Sequence, residues 1–136
     1  QMMRQQFFTL ALGLALALSL ALLSGCEKDT MMTPEQAWAA IEQPSLVIDV
    51  RTDEEVAAGT IQGSLHIPYE IIVARANELG LAKETPIVVY CRSGNRSGIA
   101  QSMLQADGFT AVVNGGAYAD LDAFNPGAKV NAHWTP

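Results

Sequence analysis

Apolar residues along this chain fall into one long block followed by a series of short ones. Residues 7–23 (FFTLALGLALALSLALL) are almost wholly apolar, and Arg4 is the only charge before Glu27. Beyond residue 32, short apolar runs alternate with amphipathic segments. Thr33-Pro34-Glu35-Gln36 opens a helix, with Thr33 as cap, Pro34 in the first turn and Gln36 closing a capping box. Ala37, Trp38 and Ile41 form its apolar stripe, and Pro44 ends it. Leu46-Val47-Ile48-Asp49-Val50 reads as a short buried strand. Thr52-Asp53-Glu54-Glu55 caps a second helix closed by Gly59, and residues 64–68 are a weak strand. Residues 70–79 read as helix, with Ile71, Ala74 and Leu79 facing the core and Gly80 as stop. Pro86 introduces a strand over residues 87–90. Residues 97–105 then form a helix with Ile99, Ala100, Met103 and Leu104 inward, ended by Gly108. A strand over residues 110–113, a Gly115-Gly116 turn and a helix over residues 117–124 complete the pattern. Strands alternating with helices predict an α/β domain, a parallel sheet with helices on both faces. In such sheets ligands bind beyond the carboxyl ends of the strands, where Arg51, Cys91 and the Asn114-Gly115-Gly116 turn all fall.

The long apolar block changes the picture of where the domain resides. A basic start and an extended apolar stretch have the layout of a secretory signal. The block ends in Leu23-Ser24-Gly25-Cys26, which resembles a bacterial lipobox, where a cysteine is lipidated and becomes the new N-terminus. The expected division is a signal peptide over 1–25, a tether over 26–32, a folded domain over 33–125 and a tail over 126–136. An uncleaved membrane anchor is the alternative, since the block is near the ~17-residue lower limit for spanning. Both readings place the domain in the bacterial envelope, facing the periplasm. By resemblance to bacterial sorting, Glu27 after Cys26 favours the outer membrane over the inner. The formal net charge is −6, and the part beyond residue 25 keeps all 14 acidic residues while losing only Arg4. That balance argues against nucleic acid and against electrostatic docking on anionic lipid. Membrane attachment then comes from the lipid on Cys26.

Two cysteines in an exported chain ordinarily suggest a disulfide. With Cys26 assigned to lipidation, Cys91 is left as a free thiol, although a Cys26–Cys91 bond stays open. The surroundings of Cys91 favour chemistry. It leaves the end of a buried strand and enters Arg92-Ser93-Gly94-Asn95-Arg96-Ser97, a turn with two arginines at a helix start. Backbone N–H groups of such a turn converge on one spot and favour negative charge there. A thiol at that spot should titrate below the ~8.5 of free cysteine. Such a role needs a thiol that a donor can reach.

Three blocks carry a family resemblance. Leu46-Val47-Ile48-Asp49-Val50-Arg51 with Gly59-Thr60-Ile61 to Ile67-Pro68, then Val88-Val89-Tyr90-Cys91-Arg92-Ser93-Gly94-Asn95-Arg96-Ser97, then Gly108-Phe109 to Asn114-Gly115-Gly116, together resemble the rhodanese domain over residues 33–125. The resemblance implies a small, mostly parallel five-stranded sheet and an active-site cysteine, here Cys91, that carries sulfur as a persulfide. It implies that Arg92, Ser93, Gly94, Asn95, Arg96 and Ser97 form the anion-binding loop, with Asp49 and Arg51 as support near it. Where the family often has Gly-His-Ile, this chain has Gly59-Thr60-Ile61, a departure expected to touch a structural contact more than the chemistry. His66 stands where Asn is frequent, and reads as a packed or surface histidine.

The activity so implied is sulfur transfer from a small anionic donor such as thiosulfate to a nucleophilic acceptor, a thiol or cyanide. Donor, intermediate and leaving group are all anionic, so the loop N–H groups stabilise charge while Arg92 and Arg96 attract the donor. No metal or organic cofactor is required. Two other readings stay open. Cysteine phosphatases and arsenate reductases have sites resembling C-x-x-x-x-x-R, whereas four residues separate Cys91 from Arg96 here. A non-catalytic rhodanese-like binding module would generally lose the cysteine. Trp38, Phe109 and Tyr118 read as core or pocket wall, and strand alternation turns Tyr90 away from the face of its neighbour Cys91.

Overall fold

The computed structural model describes residues 31–126. The proposed signal peptide, Cys26 and most of the tether and tail lie outside the described residues. Helix α1 (Pro34–Ile41) starts with the capping box in place: the Thr33 hydroxyl accepts from the Gln36 N–H, and the Gln36 side chain accepts from the Thr33 N–H. There follow β1 (Leu46–Asp49), α2 (Asp53–Ala57), β2 (Leu65–His66), a 3-10 turn (Tyr69–Ile71), α3 (Ile72–Glu78), β3 (Ile87–Cys91), α4 (Asn95–Ala106), β4 (Val112–Ala117) and α5 (Tyr118–Phe124). The four strands are parallel in the order β2-β1-β3-β4.

Alternation along the two central strands builds two cores. Leu46, Ile48, Ile87, Val89 and Cys91 face one side, packed with Ile72 and Ala76 of α3 and Ala100 and Leu104 of α4. Val47, Val88 and Tyr90 face the other, against Trp38 and Ile41 of α1 and Leu121 of α5. Trp38 is core, as read, and its Nε1–H donates to the Leu121 carbonyl at 2.8 Å. Fully burying one such side chain contributes about 1.5–3 kcal/mol. This two-sided burial places Cys91 and Tyr90 on opposite faces.

Several expectations need correction. Four strands are present among the described residues, where the resemblance implied five. The extended Met31–Met32 segment lies beside β4, but its ladder contact is one bond, Met32 N–H to the Asn114 carbonyl at 2.9 Å. Thr33 and Pro34 start α1 immediately afterwards, so among the described residues the segment is not a strand. Ile71 and Ala74 are exposed rather than core, because the 3-10 turn shifts the phase and brings Ile72 and Ala76 inward. Ile99 is also exposed; the buried stripe of α4 is Ser97, Ala100, Gln101 and Leu104. Two members of that stripe are polar, which apolar periodicity alone does not reveal.

Gly115-Gly116 lies inside β4, not in a turn beyond it. The register steps there, with Val89 opposite Asn114 and Tyr90 opposite Gly116, so Gly115 is the extra residue of a bulge. A Cβ on Gly115 would meet Val88 Cγ1 at 3.0 Å and the Val89 carbonyl at 3.3 Å. Gly115→Ala should therefore cost about 1–3 kcal/mol, read as a lower urea midpoint with an unchanged slope.

Candidate active site

Cys91 ends β3, and the chain turns at once through Arg92, Ser93 and Gly94 into α4. Gly94 caps that helix with φ +90°, a left-handed conformation that suits glycine and tightens the turn. The turn folds the first N–H groups of the helix back over the thiol. The Gly94 N–H lies 3.0 Å from Cys91 Sγ and the Ser97 hydroxyl 3.3 Å. The backbone N–H groups of Ser93 and Ser97 also favour the thiolate. Sulfur thus takes the place of a capping acceptor for the start of α4.

Two effects oppose each other at this thiol. Burial pushes its pKa up, while the Ser97 hydroxyl and the N–H groups of Ser97, Ser93 and Gly94 stabilise the thiolate; the balance lies below the ordinary value. Cys91 is nevertheless 0% exposed. Sulfur transfer needs a thiol open to a donor, whereas the structure has it covered, with Arg92, Ser93 and Asn95 of the same loop exposed. The Met31 side chain packs against Gly94 and Gly116 beside this loop. A donor reaches Sγ only when the covering groups part. The polar donor set still separates Cys91 from a structural core cysteine, whose apolar surroundings would raise its pKa.

The two loop arginines do different things. Arg92 is exposed and makes no ion pair among the described residues. Arg96, expected to attract the donor, instead holds Glu55 of α2 with both guanidinium nitrogens, at 2.8 and 2.9 Å. Its charge is committed, and the pair clamps the start of α4 to α2. Arg96 lowers the Glu55 carboxyl from 4.5 to about 2. A depressed carboxyl pKa adds stability above its unfolded value, and that stability is lost as pH falls through the folded value. The stability difference between the parent protein and Glu55→Gln should therefore be constant from neutrality to about pH 4.5 and vanish as pH approaches about 2. Urea unfolding across that window checks it.

Asp49 ends β1 beside Tyr90 of β3, Arg51 follows it, and neither shares a hydrogen bond with residues 92–97 among the described contacts. Arg51 Nη2 donates to Asp49 Oδ2 at 2.7 Å and to the Gly59 carbonyl at 2.6 Å. Its guanidinium stacks over the Tyr118 ring at 4.1 Å. Burial pushes the Asp49 carboxyl up, but Arg51 and the Thr60 hydroxyl hold it below 3.8. Thr60, at the departure from the family pattern, donates to Asp49 Oδ2 at 2.9 Å and lies 2.8 Å from the Tyr90 hydroxyl. The pair supports the strand that carries Cys91 rather than the loop itself. His66 is half-buried, with Nε2 2.8 Å from the Arg51 carbonyl.

The sequence puts Asn114 in a turn beyond the strand ends; the structure puts it in β4, bonded to the Cys91 loop. Its Nδ2 donates to the Gly94 carbonyl at 2.9 Å; its Oδ1 accepts from the Ser97 hydroxyl at 2.7 Å and the Gly116 N–H at 3.0 Å. The one signal available in the sequence was that Asn114 and Cys91 both fall near strand ends. Among the described residues, no group of three or more His, Cys, Asp or Glu side chains is placed to hold a metal, and no helix is long and apolar enough to cross a membrane.

Similar proteins share this arrangement of elements. A sulfurtransferase of Allochromatium vinosum is 40% identical over 69 residues, which are 51% of this chain and 63% of that protein. The thiosulfate sulfurtransferase PspE of Escherichia coli is 34% identical over 74 residues, covering 54% of this chain and 71% of the relative. The chain thus spans under two thirds of the length of the Allochromatium protein. Among solved structures, a rhodanese with anions from Escherichia coli superposes with a TM-score of 0.51 at 32% identity, over 56% of this chain and 89% of that one. A human single-domain sulfurtransferase does so at 0.56 and 26%, over 72% and 98%. Residues 33–120 match the rhodanese-like domain, and the chain belongs to that family.

Proposed function

We propose that this domain is a rhodanese-type sulfurtransferase that moves sulfane sulfur from a small anionic donor, such as thiosulfate, to a nucleophilic acceptor through a persulfide on Cys91. The observation that carries the reading is the convergence of the Gly94 N–H and the Ser97 hydroxyl on Cys91 Sγ at the start of α4. The Cys91 thiolate attacks the sulfane sulfur of thiosulfate. A new S–S bond forms, the S–S bond of thiosulfate breaks, and sulfite leaves with the electron pair. The acceptor then attacks the outer sulfur and regenerates the thiolate; with cyanide the product is thiocyanate. The loop donors stabilise each anionic sulfur in turn. Arg92 draws the donor in, and Arg96, tied to Glu55, keeps the loop in shape.

The same donor set suits an anion held beside a cysteine in phosphatase chemistry, but the spacing of four residues between Cys91 and Arg96 makes a tighter loop. Retention of the cysteine, with donors aimed at its sulfur, disfavours a non-catalytic binding module. The names of the relatives support the transfer reading, since both curated relatives are called sulfurtransferases. Cyanide-dependent thiocyanate release from thiosulfate, measured beside hydrolysis of an aryl phosphate, tests the choice. Thiocyanate without phosphate release is expected; the reverse pattern overturns the proposal.

The same proposal places the protein in the bacterial envelope, facing the periplasm and held by lipid on Cys26. Leu23-Ser24-Gly25-Cys26 after the apolar block supports this. Metabolic labelling with a fatty acid, lost in Cys26→Ala, is the expected result; unlabelled protein in the soluble fraction contradicts it.

A further inference from the structure

Ser97 has one hydroxyl proton and two acceptors. Its Oγ lies 3.3 Å from Cys91 Sγ and 2.7 Å from Asn114 Oδ1. The orientation of the Asn114 amide is fixed by its other contacts. Turning it over would set Nδ2 against the Gly116 N–H and Oδ1 against the Gly94 carbonyl, two donors together and two acceptors together. The atom facing Ser97 is therefore an acceptor only, and one proton cannot serve both neighbours.

The charge of the sulfur decides between them. While Cys91 is a thiol, its S–H donates to Ser97 Oγ and the Ser97 proton goes to Asn114 Oδ1. When the sulfur is an anion, the hydroxyl rotates and donates to Sγ, leaving Oδ1 with the Gly116 N–H. We infer that Asn114 is a positioning residue: through the single proton of Ser97, it holds the hydroxyl away from the resting thiol and releases it to the sulfur as negative charge develops. This rests on the proposed transfer reading for its consequence in turnover. The hydroxyl geometry stands apart from it.

The effect is opposite in sign for two small changes at one position. Asn114→Ala removes the competing acceptor, so the Ser97 proton serves the sulfur alone and the thiolate is favoured. Asn114→Asp supplies an anionic acceptor that takes the Ser97 proton and repels the sulfur anion. A residue that merely braced the loop would give the Asn114→Ala shift with or without Ser97, because the lost Gly94 contact runs through Nδ2 and not through the hydroxyl. The charged groups around the thiol are Arg92 and Arg96 of its own loop, Glu55 of α2 on Arg96, and Glu70 near Arg96. β4 adds no charged side chain, and Asp49 and Arg51 pair with each other on the Tyr90 side of the sheet. None of these changes in the variants.

The test is the pH profile of alkylation of the full chain by iodoacetamide, read on the peptide containing Cys91 so that Cys26 does not contribute. At a fixed pH below the midpoint, Asn114→Ala should react about three- to tenfold faster than the parent, the worth of one neutral hydrogen bond. Asn114→Asp should react more slowly by at least as much, with midpoints moving down and up respectively. In a Ser97→Ala background, Asn114→Ala should have no further effect. Midpoints that move the same way in both variants, or an undiminished Asn114→Ala effect without Ser97, overturn the inference. No sulfur donor enters this measurement, so an inactive protein with opposed shifts would fail the transfer reading and keep this one.

Discussion

Cys91→Ser is expected to bring thiosulfate-dependent thiocyanate formation down to the uncatalysed background while the domain stays folded. Serine matches cysteine in shape, so the Gly94 and Ser97 donors keep an acceptor. Its hydroxyl does not ionise near neutral pH and does not hold sulfane sulfur, so both half-reactions stop. Initial rates with the far-ultraviolet circular dichroism of the same preparation check the two halves of the expectation. Residual activity well above background in the folded variant would place the chemistry elsewhere.

The largest effect on stability is expected from Asp49→Ala. Asp49 is 0% exposed and Arg51 5%. Removing the carboxylate strands a buried guanidinium and takes an acceptor from the Arg51 N–H and the Thr60 hydroxyl. Breaking a buried pair in this way costs about 3–5 kcal/mol, a large part of the ~5–15 kcal/mol that holds a typical domain folded. Asp49→Asn, which keeps an acceptor for the Arg51 N–H, should lose less. The depressed carboxyl adds stability above its ordinary value of 3.8, and that stability falls away in acid as pH drops through the folded value. Urea unfolding of the parent and both variants measures the order. Equal stability of the parent and Asp49→Ala would contradict the account of this pair.

The sequence showed the fold most clearly where the signals are local. The β-branched runs became β1 and β3, the Thr33–Gln36 capping box formed, and Thr52 caps α2. Cys91 and its loop were found for the same reason, since strand, turn and helix start are contiguous. What escaped depends on distant or phase-sensitive contacts. The Arg96–Glu55 clamp joins residues 41 apart, and nothing near either residue announces the other. In short helices one misplaced residue turns the stripe, which exposes Ile71 and Ile99 and buries Ser97 and Gln101. Asn-Gly-Gly reads locally as a turn, yet the bulge at Gly115 carries β4 onward and aims Asn114 at Ser97.

The most direct measurement is the intact mass of the full chain after treatment with thiosulfate, followed by peptide mapping and then cyanide. The account predicts one added sulfur atom, located on Cys91, removed by cyanide and missing from Cys91→Ala. A folded protein whose Cys91 stays an unmodified thiol under those conditions would contradict it.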